Sequence, residues 1–255
     1  MTIVWGIWYY AGIVKGVVLA GGLGTRLYPL TYTTNKHLLP IYDQPMIFYP
    51  IRTLVKAGIK SVMVVVSGPH SGQFIQILKN GKELGLEHLE YGYQENPMGG
   101  LADALKVAED FADDESVTLI LGDNTTDADV SKEIASFEKG SIMFLKKVSD
   151  PERFGVPIFD RKEKQKIVGI VEKPKKPPSQ YVSTGLYVFD SRCFNIAKGL
   201  KPSKRGQLEI VDVQDYYIKE GTMKWYELKG YWHDVGTFDS LLEANKYWAS
   251  KSLNH

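Results

Sequence analysis

The chain is short of the features that would cross-link it, carry it into a membrane or coat it for nucleic acid. There is one cysteine in 255 residues, Cys193, so no disulfide can form within the chain and its shape has to come from packing. A lone cysteine fits a reducing compartment. The expectation is a cytoplasmic protein in which Cys193 is a small buried hydrophobe. Charge of one sign is lacking too. Thirty-one Lys and Arg against 30 Asp and Glu leave a net charge of +1, which gives no broad field for nucleic acid or an anionic membrane. Any anion site has to be local. No apolar run reaches the roughly 20 residues that span a bilayer. The apolar opening "MTIVWGIWYYAGIV", Met1 to Val14, also lacks the basic start and cleavage site of a signal peptide. It reads as an extension over 1–14: an interface arm or edge strand, a translated leader ahead of the true start, or a membrane-touching tag.

Familiar catalytic motifs are absent as well. No stretch supplies the Gly-x-x-x-x-Gly-Lys-Ser/Thr of a P-loop. The run Gly22, Leu23, Gly24, Thr25, Arg26, Leu27 puts leucine where a dinucleotide fingerprint needs its third glycine. Gly-x-Ser-x-Gly is missing, so there is no nucleophile elbow. What is there is "KGVVLAGGLGTRLYPLT", Lys15 to Thr31. A buried strand breaks into glycines and then meets an arginine. Such a turn leaves backbone N–H groups free for close approach by a phosphate. Arg26 adds a planar, permanent donor fork, and Lys36 a point charge further on.

The rest of the chain alternates strand-like and helix-like segments. Val17 to Ala20, Ile59 to Gly68, Leu89 to Tyr93 and Val117 to Leu121 read as strands. Pro45 to Ala57, Ser71 to Lys79 with Ser71 as N-cap, Leu101 to Phe111 and Val130 to Phe137 read as helices. In the second half Ser141 to Val148, Lys166 to Val171, Thr184 to Phe189 and Met223 to Leu228 are strand-like, and Leu208 to Lys219 and Thr237 to Trp248 helical. This is an α/β pattern with a mainly parallel sheet. The expectation is one domain over 15–250 whose second half adds a mixed sheet over the mouth. Ligands in such sheets bind beyond the carboxyl ends of the strands. The glycine turn and Gly122-Asp123-Asn124 both fall at such ends.

The glycine turn does not stand alone. "LAGGLGTRLYPLT…NKHLLPIYDQPMI", "LGDN", "PERFGV", "VEKP", "STGLYVFD", "RGQLEIVDV" and "WHDVGTFDSLLEA" follow in order. Together they resemble the sugar-1-phosphate nucleotidyltransferases, from about Lys15 to about Trp248, and most closely the branch that joins dTTP to glucose 1-phosphate. The resemblance implies a Rossmann-like three-layer fold and in-line attack of the sugar phosphate on the α-phosphorus, with pyrophosphate leaving. It places Leu19, Gly21, Gly22, Gly24, Thr25, Arg26, Gln94 and Asp123 around the nucleotide, with either Gly99 or Gly100 at the base. Arg26, Lys36, Asp123 and Lys173 are the implied catalytic groups. Gly155, Glu172, Lys173, Thr184, Gly185, Tyr187 and Arg205 line the implied site of the sugar and its phosphate. Pro174 is expected to hold Lys173 extended. Asp123 and Asp234 are the implied Mg²⁺ ligands, an oxygen-only set. His233 beside Asp234 does not suggest zinc, because neighbours on a strand face opposite ways.

Two departures touch the base. The segment "QENPMGGLADA" has one glycine more than the usual pattern, and Asp103 stands where many relatives have glutamine. They leave dTTP as the expected nucleotide and UTP as its alternative, since one methyl separates the bases. The resemblance further implies a homodimer or homotetramer, with neither nucleic acid nor membrane as partner. Relatives that continue with extra helices form a regulatory nucleotide site there; this chain stops soon after Trp248, so that control is not expected. A competing reading is a nucleotide-sugar-binding regulatory subunit without turnover. It predicts loss of Arg26, Lys36, Asp123 or Asp234, and all four are present.

Overall fold

The computed structural model describes residues 14–163 and 165–253. Met1 to Ile13, and with them the readings of the apolar opening, lie outside these residues. The first half contains β1 (Val14–Ala20), β2 (Pro40–Ile41), β3 (Gln44–Pro45), α1 (Phe48–Lys56), β4 (Ser61–Val66), α2 (Ser71–Leu78), β5 (His88–Tyr93), α3 (Leu101–Lys106), α4 (Glu109–Ala112), β6 (Ser116–Leu121), β7 (Asn124–Thr126) and α5 (Ser131–Ala135). The second contains β8 (Ser141–Lys147), β9 (Gly155–Phe159), β10 (Ile167–Glu172), β11 (Tyr181–Phe189), α6 (Arg192–Gly199), α7 (Ile210–Glu220), β12 (Met223–Glu227), β13 (Trp232–Asp234) and α8 (Phe238–Ser252).

A seven-stranded sheet runs in the order β12-β8-β11-β6-β1-β4-β5. Strands β6, β1, β4 and β5 are mutually parallel, β12 is parallel to β8, and β11 runs against both of its neighbours. The interior strand β1 shows why. Val17, Val18, Leu19 and Ala20 are all buried, and a strand apolar on both faces needs helices on both. Val18 and Ala20 pack with α1, α2 and α5. Val17 and Leu19 pack with α3, α4, α6 and α7. The result is three layers, a mixed and mainly parallel sheet between two helical ones. A smaller cluster of Leu27, Leu39, Ile41, Met46, Tyr49, Val235 and Ala244 seats α8. Cys193 is fully buried on α6, and burial pushes its thiol pKa up.

Three expectations are corrected and one element is added. The second half does not build a separate sheet: β8, β11 and β12 extend the first, because β8 and β11 are themselves buried on both faces. Apart from it stand the antiparallel hairpin β9–β10 and the short antiparallel pair that β13 makes with β7. Ser71 does not cap α2 with its side chain. Its hydroxyl donates back to Gly68 O at 2.8 Å and closes the preceding turn. The helix from Leu101 breaks after Lys106, where Val107 and Ala108 N–H donate to Ala104 O at 3.2 Å and Leu105 O at 3.0 Å in a tightened turn. Finally, α6 was not anticipated. Its buried face is only Cys193, Phe194 and Ala197, too short a pattern to announce a helix.

Helix α8 starts from a capping box: Thr237 Oγ1 accepts from Ser240 N–H at 3.2 Å, and Ser240 Oγ accepts from Thr237 N–H at 3.0 Å. Thr237→Ala should lower stability by about 1 kcal/mol. A thermal melt should show this as a loss of about 2–4 °C for a domain of this size. An unchanged midpoint would mean that α8 is held by its packing alone.

Candidate active site

The parallel strands end level with one another. Ala20 pairs with Val66, Val66 with Tyr93, and Leu19 with Leu121. The next residues, Gly21, Ser67, Gln94 and Gly122-Asp123, therefore line one edge of the sheet. The glycine turn rests on them. Gly22 N–H donates to Ser67 Oγ at 3.1 Å, and a Cβ on Gly21 would stand 3.0 Å from that oxygen and 3.1 Å from Gln94 Oε1. Gly22 has φ +92° with open space beyond it, the condition for close approach of a ligand to backbone. Gly24, at φ +62°, packs against the Lys36 stem, whose Cβ would be 3.0 Å from a Cβ there.

Two cavities open at this edge. The first, about 240 Å³, is lined by Leu19, Gly21, Gly22, Lys36, Gln94, Gly100, Asp123 and Arg205. The second, about 120 Å³, is lined by Arg26, Gly155, Thr184, Gly185, Tyr187 and Asp234. Leu101, Leu121, Glu172 and Lys173 wall both, so the two volumes adjoin. Most of the sequence-derived nucleotide and sugar residues thus separate into neighbouring chambers, but Arg205, expected on the sugar phosphate, lines the first chamber. Arg26, expected on the triphosphate, borders the second chamber here. It leans over Gly236, where a Cβ would be 2.7 Å from its Nη2. Gly99, Gly24 and Thr25 line neither chamber. Of the two glycines considered for the base, Gly100 is the one at the first cavity.

Asp123 and Asp234 meet although they are far apart in sequence. The short antiparallel pair β7–β13 sets Asn124 opposite Asp234, Val235 N–H donates to Asp123 O at 2.8 Å, and the Trp232 indole N–H donates to Asn124 Oδ1 at 2.6 Å. Lys36 Nζ bonds Asp123 Oδ2. Burial by itself would raise the Asp123 pKa, but the Lys36 ammonium outweighs it and holds this carboxyl well below the usual range. Asp234 goes the other way. Burial and then the negative charge of Asp123 push it up to about 6. One oxygen of each, Oδ1, is buried without a hydrogen-bond partner. Two adjacent carboxylates with unpartnered oxygens fit a hard divalent cation such as Mg²⁺, which takes oxygen ligands and completes its shell with water and phosphate. His233 stands on the same short strand opposite Thr125, with its ring 5.5 Å from that of Tyr231.

On the sugar side, β11 shifts register between Ser183 and Tyr187. Gly185 sits there at φ +85°, where a Cβ would be 2.7 Å from Leu121 Cδ1. Thr184 Oγ1 donates to Phe144 O at 2.9 Å, and Tyr187 OH pairs with Ser183 Oγ at 2.7 Å; burial raises this phenol to about 12. Glu172 gathers two cations, Lys173 Nζ at 3.4 Å and Arg205 Nη1 at 3.5 Å. Lys173 is not extended as expected before a proline. Its φ is +46°, a region non-glycine residues rarely occupy. Its N–H donates to Phe154 O at 2.9 Å, one step beyond the Gly155–Glu172 pair at the open end of the β9–β10 hairpin, and this bond fixes the backbone there.

Sequence reasoning missed Ser67 and His37. His37 is buried and packs under Gly122, where a Cβ would be 2.8 Å from its Cδ2. Its Nδ1 faces Asn35 Oδ1 at 2.7 Å. Burial, then the Lys36 charge, lowers its pKa to about 3, so the ring is neutral. The only hint of it was its place beside Lys36. Arg153, Gln207 and Glu209 also line the chambers; they lie inside the motifs "PERFGV" and "RGQLEIVDV", which pointed to the region but not to these side chains.

Comparison with known proteins gives the family and the fold. The model of the nucleotidyl transferase family matches residues 15–251. The glucose-1-phosphate thymidylyltransferase of Neisseria meningitidis serogroup A is 41% identical over 240 residues, covering 92% of this chain and 82% of that protein. Its Mycolicibacterium smegmatis counterpart is 39% identical over 239 residues, again with 92% and 82% coverage. A Bacillus anthracis structure assigned to the same class and solved with a sucrose superposes with a TM-score of 0.85 at 41% identity, over 92% of this chain and 94% of that one. A UDP-glucose pyrophosphorylase complexed with UDP-glucose gives a TM-score of 0.81 at 25% identity, over 94% and 99%.

The raised pKa of Asp234 has a consequence for stability. The folded protein holds this proton up to about pH 6, whereas the unfolded chain releases it near pH 4. The folded state therefore binds more protons between those values, and stability falls as pH rises through them. In chelator, Asp234→Asn should melt about 2–4 °C above the parent at pH 7.5, with the advantage gone at pH 4. An equal offset at both pH values would contradict the charge argument.

Proposed function

The chain belongs to the nucleotidyl transferase family, and on that premise we propose that it transfers a thymidylyl group from dTTP to glucose 1-phosphate, giving dTDP-glucose and pyrophosphate. The observation that carries this reading is the pair of adjoining chambers with Lys36, Asp123, Asp234 and Lys173 at or beside their join. Such an arrangement suits two phosphorylated substrates meeting head to head.

The glycine turn and Gln94 with Gly100 hold the nucleotide. Gly155, Thr184, Gly185, Tyr187 and Glu172 receive the sugar, and Lys173 and Arg205 its phosphate. One phosphate oxygen of the sugar then attacks the α-phosphorus. That P–O bond forms as the bond to the bridging β-phosphate oxygen breaks, and pyrophosphate carries away the electron pair. The attacking group is already an anion, so no general base is required and no covalent enzyme intermediate arises. What the site has to supply is orientation and charge neutralisation. Lys36 and Arg26 provide cations. Asp123 and Asp234 would hold Mg²⁺, which when bound neutralises phosphate charge. Lys36 is tied to Asp123 rather than left in solvent, so its ammonium is fixed at the join.

Thymine and uracil differ by one methyl, worth only about 1–3 kcal/mol in a pocket, so UTP is expected as a weaker substrate. Among the described residues no helix is long and apolar enough to cross a membrane; a cytoplasmic location is part of the proposal. A homodimer or homotetramer belongs to the same proposal. Leu23, Tyr28, Leu30 and Tyr32 are exposed beside the glycine turn, an apolar surface that assembly would cover.

Pyrophosphate release should be measured with Mg²⁺ across five nucleoside triphosphates and several hexose 1-phosphates. It should peak at dTTP with glucose 1-phosphate and stop in EDTA. Lys36→Ala and Asp123→Ala should each lower kcat about 10²–10³-fold. A maximum at another pair would keep the mechanism and move the specificity. No release with any pair, despite nucleotide-sugar binding, would make the chain a sensor instead.

A further inference from the structure

Gln94 and Asp103 meet across the turn before α3. Gln94 is 4% exposed. Its side-chain amide donates both hydrogens, to Gly100 O at 3.1 Å and to Asp103 Oδ2 at 3.0 Å. Both partners are acceptors only, and the other oxygen of the carboxylate is held by Lys106 Nζ at 2.8 Å. The amide cannot turn over without setting its oxygen against two acceptors. Oε1 is therefore directed to the opposite side, toward Gly21 at the first chamber, 3.1 Å from where a Cβ on that glycine would stand. No hydrogen bond to Oε1 is found among the described residues.

Gly99 makes this contact possible. A Cβ there would lie 2.3 Å from Asp103 Oδ2 and 2.8 Å from its Cγ, so any side chain would push the carboxylate off the amide. The additional glycine and the aspartate, two separate oddities of this segment, are two halves of one contact.

We propose that Asp103 is a positioning residue for base choice: it locks the Gln94 amide so that an acceptor alone faces the nucleotide chamber. The site then takes a base whose ring nitrogen donates a hydrogen, the imide edge of thymine or uracil. It turns away cytosine, whose ring nitrogen at that place is an acceptor. Lone pair facing lone pair leaves a buried polar group unsatisfied, which is worth about tenfold to a hundredfold in affinity. The inference rests on the nucleotidyl-transfer reading for what fills the chamber, but binding can test it without turnover.

The probes are dUTP and dCTP, titrated calorimetrically into the full chain. They share sugar and triphosphate and both lack the methyl, so their ratio reports the base edge alone. Inorganic tripolyphosphate serves as a reference for the phosphate site. The parent should bind dUTP at least about tenfold more tightly than dCTP. Asp103→Asn lets an amide N–H face Gln94, leaves only the Gly100 carbonyl to oppose its turning over, and should pull the ratio down toward one. Gly99→Ala should do the same with Asp103 untouched. Lys106→Met, which leaves the carboxylate in place, should keep the parent ratio. Tripolyphosphate affinity should be unchanged in all of them, whereas a collapsed site would lose every ligand together. A parent ratio near one would overturn the proposal, as would a parent-like ratio in both Asp103→Asn and Gly99→Ala. Binding with the expected ratio but no pyrophosphate release would sink the transferase reading and leave the latch standing.

Discussion

Everything at the mouth of this sheet depends on two carboxylates placed side by side where water is scarce. Asp123 and Asp234 repel one another, and burial penalises both charges. Lys36 resolves half of the conflict by pairing with Asp123. The other half is left open, and Asp234 answers by holding its proton more tightly than a free carboxylate. Such a pair is poorly satisfied by protein alone. A divalent cation and phosphate oxygens would complete it, because the buried Oδ1 atoms of both carboxylates have no hydrogen-bond partner.

The scaffold spends much of its irregular geometry on keeping that pair and its surroundings in place. The β7–β13 bridge has only three paired positions, yet it joins the end of the sheet to the start of α8. Glycines appear where atoms must nearly touch. Gly122 admits the His37 ring, and Gly185 sits against Leu121 at the β11 register shift. His37 stays neutral in its buried place, so it adds bulk under the site without adding charge. Lys173, at positive φ, shows that a wall residue of both chambers is set by the hairpin that carries it rather than by its own backbone preference.

The latch between Asp103 and Gln94 obeys the same logic on the base side. A carboxylate outside the chamber dictates which end of an amide faces in. Hydrogen-bond polarity, more than pocket shape, then decides what can dock.

The sequence by itself determined a good deal. Both-sided burial in Val17 to Ala20 and the alternation of apolar segments declared a parallel sheet between helices, because that pattern has no other stable outcome. The resemblance carried by the glycine turn, by Lys36 and Asp123 and by the later motifs named in advance many of the residues that line the two chambers. What it could not determine were meetings between distant residues. Asp234 reaches Asp123 through a three-residue bridge, Ser67 supports Gly22 from a neighbouring strand end, and Gly99 earns its place only through the position of a carboxylate on the next helix. Local pattern also misjudged Ser71, the break after Lys106 and the backbone at Lys173. In each case a specific hydrogen bond outweighed a preference worth about 1–3 kcal/mol. The bonds at Ser71 and after Lys106 span only three residues each, but the bond from Lys173 to Phe154 exists only once β9 and β10 have paired, and so only the tertiary structure could decide the backbone there.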